Sequence, residues 1–150
     1  MSDLPKVTIY TDGSVFPNPG PGGWGAILIC NGLAREVGGR DDDMTNNRAE
    51  MLAVITALES LKKPSDVVIY SDSQLVVNGA NGEWGRNANT DLWQRFEDAA
   101  DGHSVVCIWV KGHAGNAGNE RAHRLAERLL RGGKLREGYF KVAQLEGLTW

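Results

Sequence analysis

The chain predicts an α/β fold in which a mixed five-stranded sheet, three strands antiparallel and then two parallel, carries helices on both faces. Three observations lead there. Apolar periodicity switches between two and 3.6 in the order β-β-β-α-β-α-α-β-α, an order that builds a mixed sheet. Asn31-Gly32 is a strong tight-hairpin signal and sets the first strands antiparallel. The pattern IYTD at 9–12 returns as IYSD at 69–72 after an intervening helical segment, which suits two parallel strands joined by a crossover.

Taken in order, VTIYTDGS (7–14) has the β-branched and aromatic content of a strand buried on both faces, and Gly13 marks its end. VFPNPGPGG is expected to be a loop. Trp24 to Cys30 returns as the second strand and Leu33 to Gly39 as the third. Because the glycine-rich stretch leads into a strand and not a helix N-terminus, it is no phosphate loop. Residues 41–63 take helical periodicity, with Thr45 or Asn46 as N-cap and Lys62, Lys63 and Pro64 closing the end. Val67 to Ser71 forms a strand, and a short helix follows from Ser73. Thr90 is expected to cap the helix TDLWQRFEDAAD. Residues 104–110, SVVCIWV, read as a buried strand, Lys111 to Asn119 as an exposed loop, and NERAHRLAERLLR as the last helix, with His123 at the edge of its apolar stripe. Residues 132–150 form a tail that carries apolar side chains but no readable element.

At 150 residues and 41% hydrophobic content, one catalytic domain over 1–150 is expected. No apolar run spans a bilayer and MSDLPK is no signal peptide, so a cytoplasmic monomer with no membrane partner is expected. Cys30 and Cys107 sit in apolar runs and read as small hydrophobes, not as a disulfide or zinc site. A formal charge of -3 excludes a broad basic surface for nucleic acid. A polyanionic substrate must be gripped locally.

If the two IY(T/S)D strands are parallel neighbours in register, Asp12 and Asp72 share a face about 5 Å apart. Two charges at that distance repel by roughly 3 kcal/mol at an effective dielectric near 20, which calls for a shared proton or a cation. Either aspartate alone is more commonly a turn or cap residue; the repetition changes that. Glu50 falls within about 40° of Val54, Ala57 and Leu61 on the helical wheel and so faces the sheet, although a first-turn glutamate also suits the helix dipole. Hard oxygen donors without zinc-type spacing select Mg²⁺ or Mn²⁺, and two such ions are the usual device for attack of water on a phosphodiester.

TDGS with NPGPGGWGAIL, TNNRAE, YSDSQ, DLWQR and VKGHAGN resemble the bacterial-type (type 1) ribonuclease H family over about residues 6 to 130. The resemblance implies the ribonuclease H-like fold and an endonuclease that cuts the RNA strand of an RNA–DNA hybrid duplex, leaving 5′-phosphate and 3′-hydroxyl ends. It makes Asp12, Glu50 and Asp72 three of four metal ligands and His113 an aid to proton transfer or product release. Asn18, Asn46, Asn47 and Gln74 would contact the minor groove and its 2′-hydroxyls, and Thr45 with Arg48 a DNA phosphate. Two departures stand out. Where the family's fourth carboxylate is expected, ten residues after His113, this chain has His123, placed among the catalytic and metal-binding candidates in its stead. And where bacterial members carry a Lys- and Trp-rich protrusion, this chain has LVVNGANGEWGRNANT, with Arg86 its sole basic residue and Trp84 a candidate for stacking on DNA. With imidazole for carboxylate, Mn²⁺ is expected to serve better relative to Mg²⁺. A DNA-cutting relative on the same fold and a non-catalytic hybrid-binding module are the competing readings.

Overall fold

A computed structural model describes residues 3–83, 85–112 and 114–142. The sheet has six strands: β1 (Lys6–Val15), β2 (Gly20–Cys30), β3 (Leu33–Met44), β4 (Asp66–Ser71), β5 (Ser104–Trp109) and β6 (Phe140–Lys141), in the order β5-β4-β1-β2-β3-β6. β1, β4 and β5 are parallel; β1-β2-β3-β6 are antiparallel. The expected five strands are all present. The sixth is the tail, which pairs Phe140 with Ala34 and buries Phe140 and Val142.

Among the described residues four helices flank the sheet: α1 (Asn46–Glu59), α2 (Gln74–Ala80), α3 (Thr90–Ala100) and α4 (Ala117–Leu130). α1 lays Met51, Val54, Ile55 and Leu58 on the face of the sheet formed by Val7, Ile9, Val67 and Ile69, and α2 and α3 add Val76, Val77, Leu92, Trp93 and Phe96 to the same core. α4 covers the opposite face, where Leu125 and Leu129 meet Ile27, Ile29 and Ala34. It sits unusually close. A Cβ on Gly23 would lie 2.4 Å from the Ala126 carbonyl oxygen, and one on Gly25 2.6 Å from Leu125 Cγ. The GPGG run therefore belongs to β2, with a bulge between Gly20 and Gly22 and with Gly23 under α4, and is not the loop its composition suggests.

Four other expectations are corrected. β1 does not stop at Gly13 but runs to Val15 beside β2; it is the parallel pairing with β4 that ends, at Tyr10 and Tyr70. β3 continues through the Asp41–Asp43 run to Met44, so α1 starts later than position 41, with Thr45 as its cap. α3 has Asn89, in the left-handed conformation, at its N-cap position instead of Thr90: the Leu92 and Trp93 N–H groups donate to the Asn89 carbonyl, and the Asn89 side chain, taken by Arg48, makes no capping bond. β5 is not buried. It is the sheet edge: Val105 and Cys107 pack against the α1 and α2 side, while Val106 and Ile108 on the opposite face and Trp109 at the strand end are 51%, 40% and 44% exposed.

Candidate active site

The site forms where β1 and β4 part. Tyr10 and Tyr70 stack at 5.1 Å as the last paired residues, and two positions on, Asp12 and Asp72 face one another across the opening gap. Glu50 comes from the other layer. It reaches the strand because Gly13 has no side chain: a Cβ there would lie 2.8 Å from Ala49 Cβ and 2.9 Å from the Glu50 nitrogen. The start of α1 is capped by Thr45, whose Oγ1 accepts from the Arg48 N–H at 3.2 Å, and its C-terminal half is tied to β2 by Trp24, whose Nε1 donates to Thr56 Oγ1. Asp72 is packed closely from its own side, where a Cβ on Gly112 would lie 2.9 Å from its Oδ2.

The three carboxylates offer oxygens all within 4.8 Å of one another. Asp12 is 3% exposed. Its Oδ1 accepts from the Gly13 N–H at 2.9 Å and its Oδ2 lies 2.8 Å from His123 Nδ1. Glu50 Oε2 is buried with no hydrogen-bond partner, and burial, reinforced by the charges of Asp12 and Asp72, pushes its carboxyl well above the usual carboxylate range. An unpartnered buried oxygen amid clustered carboxylates is a vacancy in bonding that a hard divalent cation fits, so the residues present suit a divalent metal ion.

His123 lies beside this cluster and contacts it through Asp12; the mutually close oxygens are those of Asp12, Glu50 and Asp72. Its other ring nitrogen, Nε2, is 3.0 Å from Glu127 Oε1, one helical turn further along α4. The expected proton-transfer residue His113, and Trp84, lie outside the described residues.

The expected substrate contacts are surface residues, with Arg48 half-buried. Asn18, Thr45, Asn46, Asn47 and Gln74 are exposed, and Asn18 Oδ1 accepts from the Asn46 N–H at 3.2 Å, which ties the β1–β2 connection to the start of α1. The Arg48 guanidinium makes a two-pronged pair with Asp91, at 3.0 and 2.8 Å, and pulls the Asp91 carboxyl down to about 2. Arg86 is engaged internally by Glu97 and the Gly79 carbonyl, and lies over the Trp93 and Phe96 rings. Glu127 and Gly112 escape sequence reasoning. Only the i,i+4 spacing of His123 and Glu127 hints at the first, and nothing hints at the second.

The family model described as RNase H matches residues 5–131. The chain belongs to the ribonuclease H family. It is 50% identical over 139 residues to Ribonuclease H of Bradyrhizobium diazoefficiens, an alignment covering 84% of this chain and 90% of that one. The crystal structure of LC9-RNase H1, a type 1 RNase H with the type 2 active-site motif, superposes with a TM-score of 0.78 at 30% identity, covering 94% of this chain and 79% of that one. LC11-RNase H1, solved in complex with RNA/DNA hybrid, shares the fold at a TM-score of 0.70 and 23% identity, over 84% of this chain and 97% of that one. The ribonuclease H fold thus accounts for the sheet order, and the ribonuclease H enzymes among the relatives mark this chain as a nuclease.

Proposed function

We propose that this ribonuclease H hydrolyses the RNA strand of RNA–DNA hybrids in a divalent-metal-dependent reaction, leaving 5′-phosphate and 3′-hydroxyl ends. The observation that carries the metal dependence is Glu50 Oε2, buried and without a partner between Asp12 and Asp72. Asp12, Glu50 and Asp72 hold the cations, Mg²⁺ or Mn²⁺ and two during the reaction. When bound, such ions neutralise charge at the scissile phosphate and activate the attacking water. Water adds to phosphorus, the bond to the ribose 3′-oxygen breaks, and that oxygen leaves with a proton. His113 assists this proton transfer or the release of product, and His123 flanks Asp12.

Selection of RNA falls to polar surface residues. Asn18, Asn46, Asn47 and Gln74 present exposed donors and acceptors suited to 2′-hydroxyls in a minor groove, while Thr45 and Arg48, the latter exchanging its Asp91 partner, would hold a DNA phosphate. The protein acts as a monomer: at the β5 edge, the Asn81 amide donates to the Cys107 carbonyl and accepts from the Cys107 N–H, taking up backbone groups that another strand would need. No described helix is long and apolar enough to cross a membrane.

The test is incubation with labelled RNA–DNA hybrid, single-stranded RNA and duplex DNA, each with Mg²⁺, Mn²⁺ or chelator. Only the RNA of the hybrid should be cut, and only with metal. Asp12→Asn should abolish cleavage while its thermal unfolding stays cooperative. Cleavage by that variant, or in chelator, sinks the reading.

A further inference from the structure

Glu127 on α4 contributes no oxygen to the cluster of three carboxylates, yet its side chain ends one hydrogen bond away from a residue that touches it. The chain of contacts runs Asp12 Oδ2 to His123 Nδ1 at 2.8 Å, then His123 Nε2 to Glu127 Oε1 at 3.0 Å. Both ring nitrogens are thus engaged by carboxylates from different elements. An imidazole held at one nitrogen can still swing about its Cβ–Cγ bond, whereas contacts at both nitrogens fix the ring plane. That matters for Asp12. Its Oδ1 is set by the Gly13 N–H, so the His123 contact on Oδ2 completes the fixing of the whole carboxylate.

We propose that Glu127 is a positioning residue of the active site: through the His123 ring it holds Asp12 in the orientation in which that carboxylate serves the metal cluster. The proposal rests on the divalent-metal reading above. Residues that orient a metal ligand typically matter about 10–100-fold in metal affinity although they never touch the ion. Mg²⁺ demands nearly ideal octahedral geometry, so it should feel a loosened Asp12 strongly. The far oxygen of Glu127 lies 3.5 Å from Arg131, which is 77% exposed, so that contact is a loose one and the His123 contact is the better formed.

The experiment measures Mg²⁺ and Mn²⁺ binding by calorimetry, with kcat and KM for hybrid, in Glu127→Ala and Glu127→Gln. Each is made alone and together with His123→Ala. Glu127 is partly exposed on a surface helix, so the variants should fold, and thermal unfolding verifies it. Glu127→Ala should weaken Mg²⁺ binding about tenfold and lower kcat at limiting Mg²⁺, with KM for hybrid unchanged. Glu127→Gln, which keeps a side chain of equal length against Nε2, should stay within about threefold of the parent by the same scale. In the His123→Ala background Glu127→Ala should change nothing further. The proposal is overturned if Glu127→Ala binds metal like the parent, if Glu127→Gln is as impaired as Glu127→Ala, or if the loss persists without His123, which would make it a long-range charge effect or a contact through Arg131. A parent protein that binds no divalent cation refutes the metal reading itself, a different result from any of these.

Discussion

At the residue scale Glu50 is held in the costliest surroundings. Its carboxyl is raised by burial and by two neighbouring carboxylates, so in the metal-free fold it keeps its proton to higher pH than the unfolded chain does, where glutamate titrates near 4.3. The folded state then binds more protons than the unfolded state between that value and the raised one. Stability of the metal-free protein is therefore present at low pH and lost as pH rises through the raised value. Glu50→Gln should abolish this slope and raise metal-free stability at neutral pH by about 1–2 kcal/mol, a few degrees in Tm, while removing the stabilisation that Mn²⁺ confers on the parent. Calorimetry between pH 4 and 8, with and without Mn²⁺, checks both; a variant no more stable than the parent would show that Glu50 is not strained. His123 supports a second expectation. Placing Asp at 123 adds a carboxylate beside Asp12, so His123→Asp should lower the Mg²⁺ concentration needed for half-maximal cleavage and narrow any advantage of Mn²⁺. Titration of activity with each ion decides it. Asp12 and Asp72 are legible in the sequence because IYTD and IYSD repeat, and Glu50 because its helical position faces the sheet, whereas the orphaned state of Glu50 Oε2 is not, since it depends on what surrounds the atom in space.

At the scale of elements, the site exists because two helices approach the sheet more closely than side chains normally permit. α1 touches β1 at Gly13 and α4 touches β2 at Gly23 and Gly25. Gly13→Ala puts a Cβ 2.8 Å from Ala49 Cβ and against the backbone nitrogen of Glu50, so the first turn of α1 must move. A cost of about 1–3 kcal/mol and a large loss of activity are expected, because the displaced turn carries Glu50. Denaturant unfolding beside a cleavage assay tests this, and full activity in the variant would contradict the close approach. Gly13 reads from the sequence as a strand end and Gly23 as part of a loop, the usual meanings of glycine. Their use as contact points depends on which helix crosses them. Likewise Thr90 looks like the cap of α3, but it is already helical; Asn89 holds the cap position, and its side chain goes to Arg48, 41 residues away, leaving the capping bond unmade.

At the scale of the whole molecule, 16 Lys and Arg stand against 19 Asp and Glu, and the one cation of the shortened 75–90 segment, Arg86, is spent on Glu97, Gly79, Trp93 and Phe96. That segment then has no basic side chain left for phosphates. Each phosphate contact contributes about -0.9 to the log–log dependence of affinity on salt, so hybrid binding should be weak and its slope shallow. Binding measured by anisotropy at several salt concentrations tests this, and a slope matching six or more phosphate contacts would refute it. The sequence by itself determined the order of elements, the parallel pair bearing Asp12 and Asp72, and the sheet-facing Glu50, because periodicity, hairpin signals and a repeated motif are local properties of the chain. It placed β5 inside the core, since an apolar run reads alike in a central strand and at an edge whose outer face no helix covers. Only the tertiary structure decided that edge, the tail strand Phe140–Lys141, and the line from Asp12 through His123 to Glu127. Each joins groups far apart in sequence, and such pairings are set by packing of one layer on another.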